Sequence, residues 1–181
     1  MIPAFDALYK TRVDRLSIRA APNCLLCFDP GETTGVAIFH GPKLFASGQP
    51  NTSSVDTALK ELSELFAKFQ PNEVVLEDYR VYGNRAEQHI GSSLSTPRLI
   101  GMIETLCLQG KIPFHKQPAQ TPKQFVTDDK LRAWGFYKTG HRHARDAIRH
   151  GCYYILFPPK ALTSQQILRG VRSKTAGQHV G

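Results

Sequence analysis

Leu25-Leu26-Cys27-Phe28-Asp29-Pro30-Gly31-Glu32-Thr33-Thr34-Gly35-Val36-Ala37-Ile38-Phe39 is the stretch that decides the fold. An apolar run ends on one carboxylate, a Pro-Gly turn follows, and a second apolar run leads away. The pattern predicts a buried strand, a tight glycine-bearing hairpin and a partner strand. It leaves Asp29 where the first strand runs out of core. A charge in that position needs a partner or a task, because a desolvated lone carboxylate is costly.

Working outward, residues 43–48 extend the hairpin to a third strand after the Gly41-Pro42 turn. Ser54 is placed to cap a helix running to Phe69, with Val55, Leu59, Leu62, Leu65, Phe66 and Phe69 at helical spacing. Pro71-Asn72 stops it, and residues 73–78 read as a fourth strand that ends in acids as the first did. Residues 86–110 read as helical, interrupted near Pro97, with Ser95 as a cap for the second part. Residues 111–117 form a short fifth strand, Thr121-Pro122 opens another helix, and residues 143–157 form the last one before Pro158-Pro159. Strands in a hairpin block, then alternating with helices, predict an α/β domain on a mixed sheet. The expected division is a basic N-terminal arm at 1–23 with one short helical turn, a domain at 24–159, and a basic tail at 160–181.

A chain of 181 residues is long enough to bury a core. No apolar run approaches the ~20 residues that span a bilayer, and the N-terminus lacks an apolar signal core. Cys24, Cys27, Cys107 and Cys152 all lie in apolar segments. That placement suits reduced packing thiols in a cytoplasm better than a disulfide framework. Cys24-x-x-Cys27 is half a zinc pattern without a second Cys/His pair at suitable spacing. Lys and Arg outnumber Asp and Glu by 23 to 15, a formal charge of +8. The surplus clusters at Lys10–Arg19, Lys123–Arg149 and Lys160–Lys174, and favours a polyanionic partner bound in a salt-dependent way.

Asp29 closes the first strand, Glu77 closes the fourth, and His143-Ala144-Arg145-Asp146 opens the last helix. An i, i+3 spacing puts His143 and Asp146 on one helical face. If the first and fourth strands are neighbours, Asp29 and Glu77 lie side by side, tolerable only when protonated or bridged by cations. Three acids and an imidazole suit Mg2+ or Mn2+, the imidazole leaning toward Mn2+. Two such ions ~3.5–4 Å apart are a known solution for phosphodiester hydrolysis. Taken singly, each residue has a plainer reading. Glu77 and Asp78 suit a strand end at the surface, Asp29 its own turn, and His143 a solvated face. Their joint placement in a basic surround favours the site.

Four segments in order resemble the RuvC-type Holliday-junction resolvases of the ribonuclease H-like nuclease superfamily. They are Phe28-Asp29-Pro30-Gly31-x-x-x-Gly35-x-Ala37, Val74-Val75-Leu76-Glu77, Pro122-Lys123-Gln124-Phe125-Val126 and His143-Ala144-Arg145-Asp146-Ala147. The resemblance spans residues 24–157. It implies a ribonuclease H-like fold with a five-stranded mixed sheet flanked by helices. It also implies a homodimeric, Mg2+- or Mn2+-dependent endonuclease that nicks branched DNA, four-way junctions above all, at symmetric positions. By position, Asp29, Glu77, His143 and Asp146 would be the metal-binding and catalytic set. Lys123 would approach the scissile phosphate, with Lys130 a looser second lysine. Family members place an aromatic after the second acid; here Tyr79 and Tyr82 flank Arg80, and either ring can stack on a base or pack on the sheet. Pro97 falls in the helix expected to form the dimer seam. Arm and tail are additions of the sort seen in phage-encoded relatives and would broaden substrate choice, and a cytoplasmic location follows, the host's if phage-encoded.

Other ribonuclease H-like nucleases, acting on flaps, RNA–DNA hybrids or RNA, share these motifs. Actin-like sugar kinases and ATPases carry an Asp-x-Gly phosphate hairpin as well, but need two such subdomains around a nucleotide cleft. A non-catalytic DNA-binding scaffold would be expected to have lost acids that this chain keeps.

Overall fold

The apolar runs on either side of Asp29 form the hairpin expected of them. The computed structural model describes residues 2–78 and 96–159. In chain order these form α1 (Phe5–Leu16), β1 (Leu25–Asp29), β2 (Gly35–His40), β3 (Lys43–Gly48), α2 (Val55–Phe69) and β4 (Glu73–Asp78). Then come α3 (Thr96–Gln109), β5 (Phe114–Pro118), α4 (Gln120–Phe125), α5 (Asp128–Ala133) and α6 (Arg142–Leu156). The sheet runs β3-β2-β1-β4-β5, antiparallel through the hairpin block and parallel from β1 to β4 and from β4 to β5. This is the five-stranded mixed sheet flanked by helices that the sequence predicts. Ser54 caps α2 as expected, its hydroxyl accepting from the Thr57 amide at 3.2 Å. Pro97 is the second residue of α3 as described, and the segment 79–95, with Ser95, lies outside the described residues.

Alternation along the strands sorts the side chains into two cores. Leu26, Phe28, Val36, Ile38, Val74 and Leu76 face α2 and α3, where Leu62, Leu99 and Ile103 meet them. Leu25, Cys27, Ala37, Phe39 and Val75 face the other way, against Ala147, Ile148, Cys152 and Ile155 of α6. The same parity sends Asp29, Glu73 and Glu77 toward α6. Two glycines let that helix lie close to the sheet. A Cβ on Gly151 would collide with the Phe39 ring and the Cys27 sulfur, and one on Gly35 would overlap the His143 carbonyl. The four cysteines are free and buried, and burial pushes the Cys27 and Cys152 thiols well up, as packing residues require.

The N-terminal segment differs from the single turn expected of it. α1 is 12 residues long and docks on the domain. Its buried Phe5 packs against Trp134 and Phe136, and the Trp134 indole donates to the Pro3 carbonyl at 3.0 Å. Arg12 donates to the Leu156 carbonyl at 2.5 Å and covers the Phe157 ring at 4.0 Å. Arg19 forks onto Glu73 at the start of β4, and its Nη2 also donates to the Tyr154 hydroxyl at 3.0 Å, which itself donates to Glu73 at 2.5 Å. A polar-looking arm was legible, but the pairing of Arg19 with an acid 54 residues away was not.

Two outcomes are expected. Gly151→Ala overpacks the α6–sheet contact and should cost about 1–3 kcal/mol, read as a lower thermal midpoint. Burial pushes Glu73 up, but the Arg19 fork and the Tyr154 hydroxyl outweigh it and hold it below its ordinary value of 4.5. A depressed folded value means that this stability is complete above about 4.5 and is lost as pH falls through the folded value. Glu73→Gln should therefore unfold at lower urea than the parent at neutral pH, with the gap closing in acid.

Candidate active site

The parallel register of β1 and β4 puts Leu76 beside Phe28, so the next residues, Glu77 and Asp29, lie adjacent at the same edge. α6 crosses above them and presents His143, Asp146 and His150, spaced i, i+3, i+7 on one face. Asp29 is 5% exposed and Asp146 4%, while His150 is fully buried. His143 Nδ1 lies 2.8 Å from Asp29 Oδ2 at the partly exposed mouth. His150 Nε2 lies 3.1 Å from Glu77 Oε2, and its Nδ1 lies 2.9 Å from Gln117 Oε1 on β5. Lys123, from α4, bridges two acids, with Nζ 3.1 Å from Glu77 Oε2 and 3.3 Å from Asp146 Oδ2.

All five residues of the expected catalytic set thus converge. Around Asp146 the structure adds Arg149, one guanidinium engaged by three partners. It pairs with Asp146 and Asp128 and donates through Nε to the Val126 carbonyl at 2.9 Å. Arg149 therefore ties the turn between α4 and α5 to α6, and holds Lys123's helix over the acids. Lys130 is turned inward: Nζ donates to the Phe125 carbonyl at 2.6 Å and rests 3.8 Å from the Phe125 ring centroid. Tyr79, Arg80 and Tyr82 lie outside the described residues.

The electrostatics follow from crowding. Burial raises Asp29, the His143 hydrogen bond opposes this, and the Glu77 charge beside it raises it further. Burial also acts to raise Glu77, but hydrogen bonds from His150 and Asp29 and the Lys123 charge bring it down to about 2. Of two adjoining carboxylates, Glu77 is thus shifted down and Asp29 up. Burial works to lower Lys123, but the charges of Glu77, Asp146 and Asp29 raise it, so its ammonium persists. His143 is raised chiefly by its hydrogen bond to Asp29.

Such a site calls for positive charge. Asp29, Glu77 and His150 can each offer one ligand atom, all within 4.8 Å of one another, the set among the described residues that can converge on a single ion. Two carboxylates and an imidazole are a donor set that a divalent cation accepts. Asp146 lies beyond this trio, joined to Glu77 through the Lys123 ammonium.

Solved structures share this architecture. The fold is that of the RuvC-type resolvases. Thermus thermophilus RuvC, solved in complex with a Holliday junction substrate, superposes with a TM-score of 0.60 at 14% identity, over 74% of this chain and 93% of that one. A second structure of Thermus thermophilus RuvC gives 0.54 at 13% identity, over 74% of this chain and 94% of that one. The yeast mitochondrial Holliday junction resolvase Ydc2 gives 0.54 at 14% identity, over 94% of this chain and 90% of its own. By sequence the chain matches no protein-family model and no curated protein.

Sequence reasoning missed His150, Arg149, Gln117 and Asp128. His150 was within reach, since it continues the His143/Asp146 stripe by one turn. Gln117 and Asp128 carry no local signal; only the placement of β5 and α5 brings them in.

Arg149→Ala leaves Asp146 buried with the Lys123 ammonium as its remaining cationic partner. The expected cost is about 3–5 kcal/mol, measured by urea unfolding without divalent ions. Arg149→Lys should recover only part of it, because an ammonium cannot reproduce a three-way planar fork.

Proposed function

We propose that this protein is a divalent-metal-dependent endonuclease that cleaves branched DNA, four-way junctions in particular. The observation that carries the reading is the meeting of Asp29, Glu77, Asp146, His143 and Lys123 at one end of the β1–β4 pair on a fold shared with junction resolvases. The acids and an imidazole would hold Mg2+ or Mn2+, two ions in the full site. Bound divalent cations lower the pKa of a coordinated water and neutralise the leaving oxygen.

The chain's own residues supply the rest. Asp29 and Glu77 are rigidly placed because both terminate buried strands. Lys123, about one-third exposed, offers an ammonium to a phosphate approaching the acids. His143, hydrogen-bonded to Asp29 and exposed to a similar degree, stands at the mouth with its pKa raised by that bond. The site lies at the N-terminal end of α6, whose free amides favour an anion. Exposed Arg142, the first residue of α6, adds positive charge at that end. A kinase-like role is disfavoured because the hairpin's acid is answered by nuclease-type acids and bases instead of a second phosphate loop. A scaffold without chemistry would not need this concentration of buried charge.

A homodimer belongs to the same proposal, because two-fold symmetry matches the two equivalent strands of a junction. The apolar groove between α2 and α3, lined by Val55, Leu59, Met102 and Leu106, supports a seam there. No helix among the described residues is long and apolar enough to cross a membrane.

The test is a labelled four-way junction incubated with Mg2+ or Mn2+ against chelator, beside flap, RNA–DNA hybrid and plain duplex. Symmetric nicks in the junction, abolished by chelator, are expected; preferential cleavage of hybrid or flap would favour a different nuclease of this fold. Asp29→Asn and Asp146→Asn should lose nicking while junction binding holds or tightens. Wild-type nicking by either variant would refute the site. Lys123→Ala should slow cleavage by about 100-fold with a much smaller loss of affinity; equal losses would make it a phosphate anchor.

A further inference from the structure

His143 and His150 both touch the acids, but through different geometries. His143 points Nδ1 at a carboxylate and is 37% exposed in its side chain. His150 is fully buried, and its two nitrogens face different partners. Nδ1 meets Gln117 Oε1 at 2.9 Å, and a carboxamide oxygen can only accept, so Nδ1 carries the hydrogen. Nε2 then turns to Glu77 Oε2 at 3.1 Å, within the set shared with Asp29. A bare nitrogen lone pair against a carboxylate is repulsive, so a proton or a cation must stand between them. A neutral acceptor on one ring nitrogen, leaving the other for a cation, is how metal-ligating histidines are held. Gln117 owes its place to β5, whose register sets it beside Glu77 on the face that meets α6.

Resting on the metal-nuclease reading above, we infer that His150, not His143, is the nitrogen ligand of the site. Gln117 is the positioning residue that keeps Nε2 available, and the mixed nitrogen–oxygen set biases the site toward Mn2+ over Mg2+. Carboxylates alone would suit Mg2+, which dehydrates reluctantly and favours oxygen. An imidazole shifts preference toward transition ions. The buried ring is also shielded from exchange with solvent, unlike the ring at the mouth.

The test uses the full chain and Mn2+ alone, followed by electron paramagnetic resonance, with spin-echo modulation to detect nitrogen bonded to the ion. Bound Mn2+ showing imidazole nitrogen coupling in the parent protein is expected. His143→Ala, a change at a partly exposed position, should keep that coupling. His150→Asn should lose it and weaken Mn2+ binding by tenfold or more, with a smaller loss for Mg2+ by calorimetry. Gln117→Leu should weaken Mn2+ by about 10-fold, whereas Gln117→Glu, which keeps an acceptor, should restore it. Bound Mn2+ without nitrogen coupling, or coupling abolished by His143→Ala, overturns the inference while leaving the metal site standing. If Mn2+ does not bind at all, the inference and the metal-nuclease reading fall together. The parent and His143→Ala spectra decide the matter even if His150→Asn fails to fold.

Discussion

The parallel pairing of β1 with β4 is the constraint on which the rest of the structure depends. Both strands are buried on both faces, and both end on an acid at the same level. Had β4 paired antiparallel, its terminal Glu77 would lie at the far end of the sheet from Asp29. The elements that follow α3 address the resulting charge. α6 brings two imidazoles and an acid, α4 brings an ammonium, α5 and Arg149 brace that ammonium, and β5 supplies the amide that orients the buried ring.

α6 makes a polar seam along an otherwise apolar interface. At one end of β4, Glu73 is met by Tyr154 and Arg19; at the other, Glu77 is met by His150 and Lys123. Between them Val75 packs among Ala147, Ile148 and Cys152. Polar groups at the two ends define where the helix sits along the strand, because a shift would leave buried acids unpaired. The apolar centre supplies the burial, and Gly151 and Gly35 permit the close approach. The two ends differ in kind. The Glu73 end is fully answered by an arginine fork and a hydroxyl, so it is structural. The Glu77 end keeps Asp29 shifted upward and a lysine only partly covered, so its charge is less fully answered than at the Glu73 end.

Much of the fold was legible in local pattern. The strand–turn–strand around Pro30-Gly31, the capped α2 stripe and the Pro-bounded α6 all follow from spacing and breakers, since those signals act within a few residues. Asp29 and Glu77 stood out because charges closing apolar strands are unusual, and His143 and Asp146 because their spacing puts them on one face at the start of α6. α1 was under-read because its apolar content is small. Its stability comes from Phe5 reaching Trp134 and from Arg12 and Arg19 reaching the end of α6 and the start of β4.

By itself the sequence determined the hairpin, the order of the five strands with α2, α3, α4 and α6 among them, and the positions where acids end strands and open α6. Those are consequences of periodicity and of the cost of burying charge, which operate residue by residue. Tertiary structure alone decided that Glu77 stands beside Asp29, that His150 faces the acids from inside and His143 from the rim, and that Gln117 and Arg149 orient them. Each of these pairs residues tens of positions apart. Their contact depends on strand order and helix placement, which only the packing of the whole sheet can select.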